Sequence, residues 1–302
     1  MEVMSEYHIP VMAQQCIEAL AIKNQGVYVD ATFGGGGHAR LILEDKRVKR
    51  LFGFDQDRDA LNNVWDDSRL TIVNHNYRYM RHFLRYHNSI PVDGILADLG
   101  ISSFQIDEGS KGFSYRFDER LDMRMDRDAD EDAVSVLNEY QLEDLTNVFR
   151  EYGELKNAYQ IATSIVNFRS RKSIEYVRDL LEAIKPQTPP KGDYAFYSKV
   201  FQAIRIEVNK EIENLEIFLK QCLEVLKPGG RLVVLTYHSL EDRTVKNFIN
   251  TGNFEGEVQK DNFGNLIRPL EPVNKKVIVA SEQELIENTR SRSAKLRIAE
   301  KI

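Results

Sequence analysis

Four consecutive glycines, Gly34 to Gly37, follow an aspartate at Asp30 and open onto His38. Glycines at a strand-to-helix turn let the backbone come close to a ligand. Two ligand chemistries fit this spacing. Gly34, Gly36 and Ala39 satisfy the dinucleotide pattern G-x-G-x-x-A. Read from Asp30, the same stretch is D-x-x-x-G-x-G. A carboxylate beside the loop repels a pyrophosphate, which wants bare N–H groups at a helix N-terminus. S-adenosylmethionine has no phosphate and carries a cationic ammonium and sulfonium, so acid near the loop favours it. A tight turn that binds nothing would use the same glycines.

Two further carboxylates stand at strand ends. Asp55 lies in "RLFGFDQD" at 50–57, roughly 20 residues past the loop, where an acid accepts ribose hydroxyls in nucleoside-binding sheets. Asp57 and Asp59 are close by, so a surface acid is the competing reading. Asp98 closes the apolar run "GILAD" within 92–100. A lone acid there is costly without a partner; it is either a site residue or a cap for the next segment. His38 has no second ligand at a workable spacing, so no metal is expected.

The elements that must hold these groups follow a strand–helix rhythm. Apolar positions Met12, Cys16, Ile17 and Leu20 mark a helix over 11–22. Strands are expected at 27–30, 50–57, 70–76 and 92–100, with a helix at 38–44. This alternation indicates an α/β, doubly wound, mostly parallel sheet. After about residue 107 the rhythm stops. Stripes such as Leu142, Leu145, Val148 and Phe149, then Ile161, Ile165 and Phe168, read as helices. The expected domains are therefore 1–107, an inserted helical domain at 108–207, and 208–302. The last contains a helix at 208–226, a "KPGG" stop at 227–230, a strand at 231–239, and a closing antiparallel pair at 275–281 and 293–301.

Composition narrows the classes. The chain has 302 residues, 42% hydrophobic and 29% charged, within the ordinary globular range. Apolar runs fall well short of the ~18 residues a membrane span needs, and no signal peptide is expected, because the first residues lack a basic start followed by an apolar stretch. Two cysteines, Cys16 and Cys222, make no disulfide framework, so a cytoplasmic location is expected. The net charge of −6 excludes a uniformly basic coat but not a local basic patch. "RSRK" at 169–172 and "RSRSAKLR" at 290–297 are the densest basic stretches, either phosphate tethers or solvated surface.

Taken together, these blocks resemble the RsmH (MraW) family of bacterial methyltransferases acting on cytosine N4 in small-subunit ribosomal RNA. The resemblance runs nearly end to end. It is carried by "DATFGGGGHA" at 30–39, "FDQD" at 54–57, "DGILADLGISSFQID" at 93–107, "GFSYRFDERLDMRMD" at 112–126 and "LTYHSLEDRTVKNF" at 235–248. "LDMRMD" and "HSLEDR" are far more specific than a glycine loop. Two departures stand out: Tyr237 where phenylalanine is usual, and a short 250–274 stretch without a basic linker.

The resemblance implies a class I S-adenosylmethionine-dependent fold with a seven-stranded sheet, and methylation at the decoding region. It places cofactor contacts on Gly36, Gly37, His38, Asp55, Tyr77, Asp98 and Gln105. Tyr77 follows the third strand and suits adenine stacking, or else is a core-edge tyrosine. Asp98 is also the expected catalytic acceptor for the target amine, with direct cofactor contact as the competing role. The base must leave its stack; Phe104, Phe113, Tyr115 and Tyr237 are candidate stacking partners, each equally a core residue. The implied partner is ribosomal RNA or a ribosomal subunit, with a homodimer left open. Two other functions use the same features: a DNA amino-methyltransferase, and a non-catalytic RNA-binding assembly factor. The fourth strand's end reads Asp98-Leu99-Gly100, without the Pro-Pro-aromatic signature of the former.

Overall fold

A computed structural model of the chain describes residues 10–100, 111–191, 193–274 and 276–302. The chain divides into two compact units: Met1–Gly100 with Ile212–Ile302, and Ile101–Glu211.

In the first unit, the strands are β1 (Gly26–Asp30), β2 (Val48–Phe54), β3 (Leu70–Val73), β4 (Val92–Asp98), β5 (Leu226–Thr236), β6 (Leu270–Pro272), β7 (Ile278–Val279) and β8 (Lys295–Lys301). They form one sheet in the order β3-β2-β1-β4-β5-β8-β6, with β7 paired to β8. The pairs from β3 through β5 are parallel, and β8 runs antiparallel to β5, β6 and β7. Six of the seven expected strands lie on this path; the seventh, expected at 275–281, is the short β7 beside it, and β6 is a strand the sequence reading did not place.

Side chains alternate between two cores, as the period of a strand demands. Val29, Ile95, Ala97, Leu232 and Val234 face one core; Tyr28, Leu96, Val233 and Leu235 face the other. Helices α1 (Ala13–Ala19) and α2 (Gly37–Glu44) cover the second face through Cys16, Leu20, Ala39 and Ile42. Before the insertion, α3 (Met80–Tyr86) covers the first face with Met80 and Leu84. The helical unit follows as α4 (Ala133–Glu139), α5 (Leu142–Glu151), α6 (Ala158–Arg169), α7 (Val177–Ile184) and α8 (Asp193–Asn209). Beyond it, α9 (Glu211–Val225) and α10 (Ser239–Thr251) add Phe218, Cys222, Val245 and Phe248 to the first face, and α11 is Glu282–Glu287.

Several expected boundaries move. The 208–226 helix is broken at Lys210, whose φ is 49°, so that α8 ends at Asn209 and α9 starts at Glu211. A bidentate Arg205–Glu211 ion pair (2.8 and 2.9 Å) spans that break. The unit boundary consequently falls at 211 rather than 207. The other boundary lies at Gly100 rather than 107, where residues 101–110 are outside the described ones. Helix α9 ends at Val225, just before the expected "KPGG" stop, and those four residues already belong to β5: Val92 pairs with Leu226 and Gly94 with Arg231, across a register shift. Lys227 drives this. Its ammonium sits 2.9 and 2.8 Å from the two oxygens of buried Asp93, which also accepts the Val27 N–H at 2.9 Å. One carboxylate thus ties β1, β4 and β5 together at their amino ends. Strand β2 ends at Phe54 and β3 at Val73, leaving Asp55 and His75 to the loops.

The helical unit has its own core, built by the anticipated stripes: Leu145, Val148, Phe149, Ile161, Ile165 and Phe168 are all buried in it. Among its described residues, strand-like pairing is limited to the isolated bridge Arg120–Tyr176. No helix among the described residues is long and apolar enough to cross a membrane.

Candidate active site

Strand order reverses between β1 and β4, and the crevice above such a switch point is where open α/β sheets bind ligands. Three carboxylates gather at the carboxyl ends of the adjoining strands: Asp30 closes β1, Asp55 follows β2, and Asp98 closes β4.

Asp55 braces the glycine turn. Its Oδ2 accepts the Gly34 N–H at 2.7 Å and its Oδ1 the Asp57 N–H at 2.8 Å. Asn74 donates to its carbonyl at 2.9 Å. Gly36 then caps α2 with φ 74°, and a Cβ there would meet the rings of Trp65 and Phe33 at 2.8 and 2.9 Å. At Gly35 a Cβ would meet nothing within 4 Å, so the loop keeps space at its crest. Gly37 packs on Pro10, 3.1 Å from its added Cβ position.

Asp98 is anchored from two sides. Its backbone N–H donates to Thr32 Oγ1 at 2.7 Å, and the Tyr237 hydroxyl donates to its Oδ1 at 2.6 Å. The other oxygen, Oδ2, lies 3.8 Å from His38 Nδ1. His38 is buried, with Nε2 3.1 Å from the Val11 carbonyl. Burial pushes the Asp98 carboxyl up and Glu241 adds to this, while His38 and the Tyr237 hydroxyl hold it down. Tyr237 is in turn pushed far above the ordinary tyrosine range by burial and by Asp98. Its backbone N–H is held by Glu241 Oε2 at 2.8 Å. Glu241 belongs to a reciprocal cap in which His238 opens α10. The acids of "HSLEDR" thus serve the fold: Glu241 holds the turn, and Asp242 binds Arg297 (2.6 Å) and Lys295 (3.1 Å).

Asp30 is 1% exposed. Its Oδ1 accepts the Thr32 N–H at 3.2 Å, but Oδ2 has no hydrogen-bond partner among the described residues. Burial raises this carboxyl to about 6 against the pull of His38. Thr32 and Tyr237, which orient Asp98, carry no sequence signal for that role. Both bonds arise between residues 66 and 139 positions apart.

Of the expected site residues, Gly36, Gly37, His38, Asp55 and Asp98 meet around the glycine turn. Tyr77 starts a 3₁₀ turn after β3, and its ring packs edge-on against Phe218, 5.0 Å between centroids. Gln105 and Phe104 lie outside the described residues. Phe113 is buried in the helical core, and Tyr115 packs on Tyr197 and Phe201.

A doubly wound sheet with a glycine turn and carboxylates at its switch point has the architecture of the class I S-adenosylmethionine-dependent methyltransferases. The chain belongs to the MraW methylase family, whose pattern matches residues 5–302. It is 53% identical over 298 residues to the "Ribosomal RNA small subunit methyltransferase H" of Parabacteroides distasonis, with 98% of each chain covered. It is 48% identical over 307 residues to the protein of the same name from Amoebophilus asiaticus, covering 100% of this chain and 99% of that one.

S-adenosylmethionine is the cofactor of this methyltransferase, and the residues present fit it. A buried Asp30 oxygen without a hydrogen-bond partner among the described residues, with the acids Asp55 and Asp98 beside it, suits a ligand that carries positive groups.

Proposed function

We propose that the chain methylates the N4 amino group of a cytosine in small-subunit ribosomal RNA, at the decoding region, acting in the cytoplasm on the RNA or a ribosomal subunit. The observation that carries this reading is the anchored Asp98 carboxylate at the switch crevice. The substrate class is supported by the end-to-end likeness to relatives named for small-subunit ribosomal RNA.

S-adenosylmethionine supplies an electrophilic methyl group when bound. In this reading Asp55 holds the ribose, Gly36, Gly37 and His38 present backbone to the ligand, Tyr77 and Gln105 border it, and Asp30 offers its charge to the ammonium. The cytosine amine is a poor nucleophile because its lone pair is delocalised into the ring. Asp98 accepts a hydrogen bond from that amine, which strengthens as positive charge develops on nitrogen. With the methyl group that bound S-adenosylmethionine would supply transferred to the amine, Asp98 would take up the surplus N–H proton from nitrogen and pass it to water. Tyr237 fixes the carboxylate rotamer, so that one oxygen keeps its orientation. The helical unit is assigned to substrate recognition.

Purified protein, labelled S-adenosylmethionine and small ribosomal subunits from a deletion strain test this. Label on one cytidine, resolved by mass spectrometry at N4, is the expected result. Label entering duplex DNA but not ribosomal RNA would replace the proposal with a DNA amino-methyltransferase.

A further inference from the structure

The densest basic stretches of the sequence are largely engaged by their own units. Arg169 donates to the carbonyls of Leu137 (2.8 Å) and Tyr140 (2.5 Å), and Lys172 pairs with Asp179 at 2.6 Å. Lys295 and Arg297 are held by Asp242. A different group of cations lies on the sheet unit. Residues 68–92 contain no Asp or Glu in a chain that has 47, yet hold Arg69, Arg78, Arg81 and Arg85 and three of its six histidines.

Helix α3 sorts these side chains. Met80 and Leu84 face the core. Arg81, His82 and Arg85 lie on α3, with Arg81 and Arg85 one turn apart on the same face, and the 3₁₀ turn Tyr77–Tyr79 that leads into the helix carries Arg78. Tyr79, in that turn, and Tyr86, at the end of α3, border the same groove. They are 50% and 77% exposed. These six side chains line an open groove of about 690 Å³. Arg78 reaches Glu213 at 3.5 Å and Arg81 pairs with Glu224. Both partners are well exposed, and such pairs are weak enough to exchange for phosphate. The Arg85 guanidinium has no hydrogen bond or ion pair among the described residues.

We propose that this face of α3 docks a single-stranded segment of RNA, with Arg81 and Arg85 on phosphates and the Tyr79 and Tyr86 rings as stacking platforms for bases. Alternating guanidinium groups and exposed aromatic rings match a strand that repeats phosphate and base. An acidic peptide would use the arginines but leave the two tyrosines without a partner. The proposal rests on the reading that the substrate is RNA.

The test uses the full chain and transcribed small-subunit ribosomal RNA, with binding measured across a salt series. Arg81→Gln/Arg85→Gln should raise Kd about tenfold near 0.1 M salt. It should also reduce the slope of log K against log salt by about 1.4, two phosphates at ~0.7 each. Tyr86→Ala should raise Kd at least fivefold with the slope unchanged, as for a lost base stack. In both variants KM for RNA should rise, while kcat and S-adenosylmethionine affinity hold. Unchanged RNA affinity and slope in the double variant overturn the assignment of this surface. So does a variant that loses only polyglutamate binding, which would make the partner an acidic protein. If the wild-type chain itself neither binds nor methylates RNA, the functional reading falls and this surface with it.

Discussion

Removing the charge of Asp30 should make the ligand-free protein more stable at neutral pH and its cofactor binding weaker. Asp30 is buried at the end of β1, with one oxygen lacking a hydrogen-bond partner among the described residues. Burial lifts its carboxyl from 3.8 to about 6, and Asp98 and Asp55 push the same way against His38 and the Thr32 N–H. The folded value lies above the unfolded one. Stability from this group is therefore fully present below pH 3.8 and is lost as pH rises to about 6. A rise of roughly two units, at ~1.36 kcal/mol each, amounts to about 3 kcal/mol lost at pH 7. Between pH 4.5 and 7 the loss is about 2 kcal/mol, because part of the window is already passed. Asp30→Asn does not titrate. Urea denaturation of ligand-free protein should show the variant gaining about 2 kcal/mol on wild type over that interval. The same substitution should weaken S-adenosylmethionine about tenfold at pH 7.5 by calorimetry, the loss of one charge-assisted contact. Wild-type affinity should fall below pH 6, and the variant's should not. A stability difference that does not change with pH would refute the argument from burial. Equal cofactor affinity would remove Asp30 from the site.

Asp98→Asn should lower the single-turnover methylation rate about 100-fold with little change in S-adenosylmethionine affinity; a near-normal saturated rate would remove the catalytic role. Tyr237→Phe deletes the 2.6 Å bond to Asp98 and should lower kcat about 3- to 10-fold, an effect of ~1 kcal/mol. It should also shift the acid limb of the pH–rate profile upward, because the hydroxyl that holds the carboxyl down is gone. Asp55→Ala should weaken S-adenosylmethionine by about 2 kcal/mol and loosen the Gly34 turn it braces, seen as faster amide exchange there. Gly36→Ala should destabilise the fold by about 1–3 kcal/mol, since φ is 74° and the new methyl meets Trp65 and Phe33; a change under 0.5 kcal/mol in thermal denaturation would contradict that geometry.

Much of the site was legible because it is local. The order strand, glycines, helix over 26–44 follows from residue type alone: β-branched residues, then four residues without a Cβ, then a helical stripe. Continuous apolar runs placed β4 and the core of β5, and Asp30 and Asp98 mark the carboxyl ends of β1 and β4. The stripes of α5 and α6 likewise announced a helical unit. What extends past a few residues was not legible. Asp93 joins Val27 and Lys227 across 66 and 134 positions, and "KPGG", which ends α9 as expected, is itself drawn into strand β5. Short-range rules cannot see a salt bridge that stabilises an irregular strand from its neighbour.

The same division separates the identities of the site residues from their states. Which carboxylates lie at or beside strand ends is readable from the residues alone, because a strand's length and its glycine turn are set by neighbouring residues. The assembled fold is what bonds Asp55 to the loop, gives Asp98 a hydroxyl from Tyr237, and leaves one Asp30 oxygen without a hydrogen-bond partner among the described residues. Partnership depends on which strands lie side by side, and burial on which helices cover them. Both are properties of the assembled sheet, and they convert three similar aspartates into three chemically different groups.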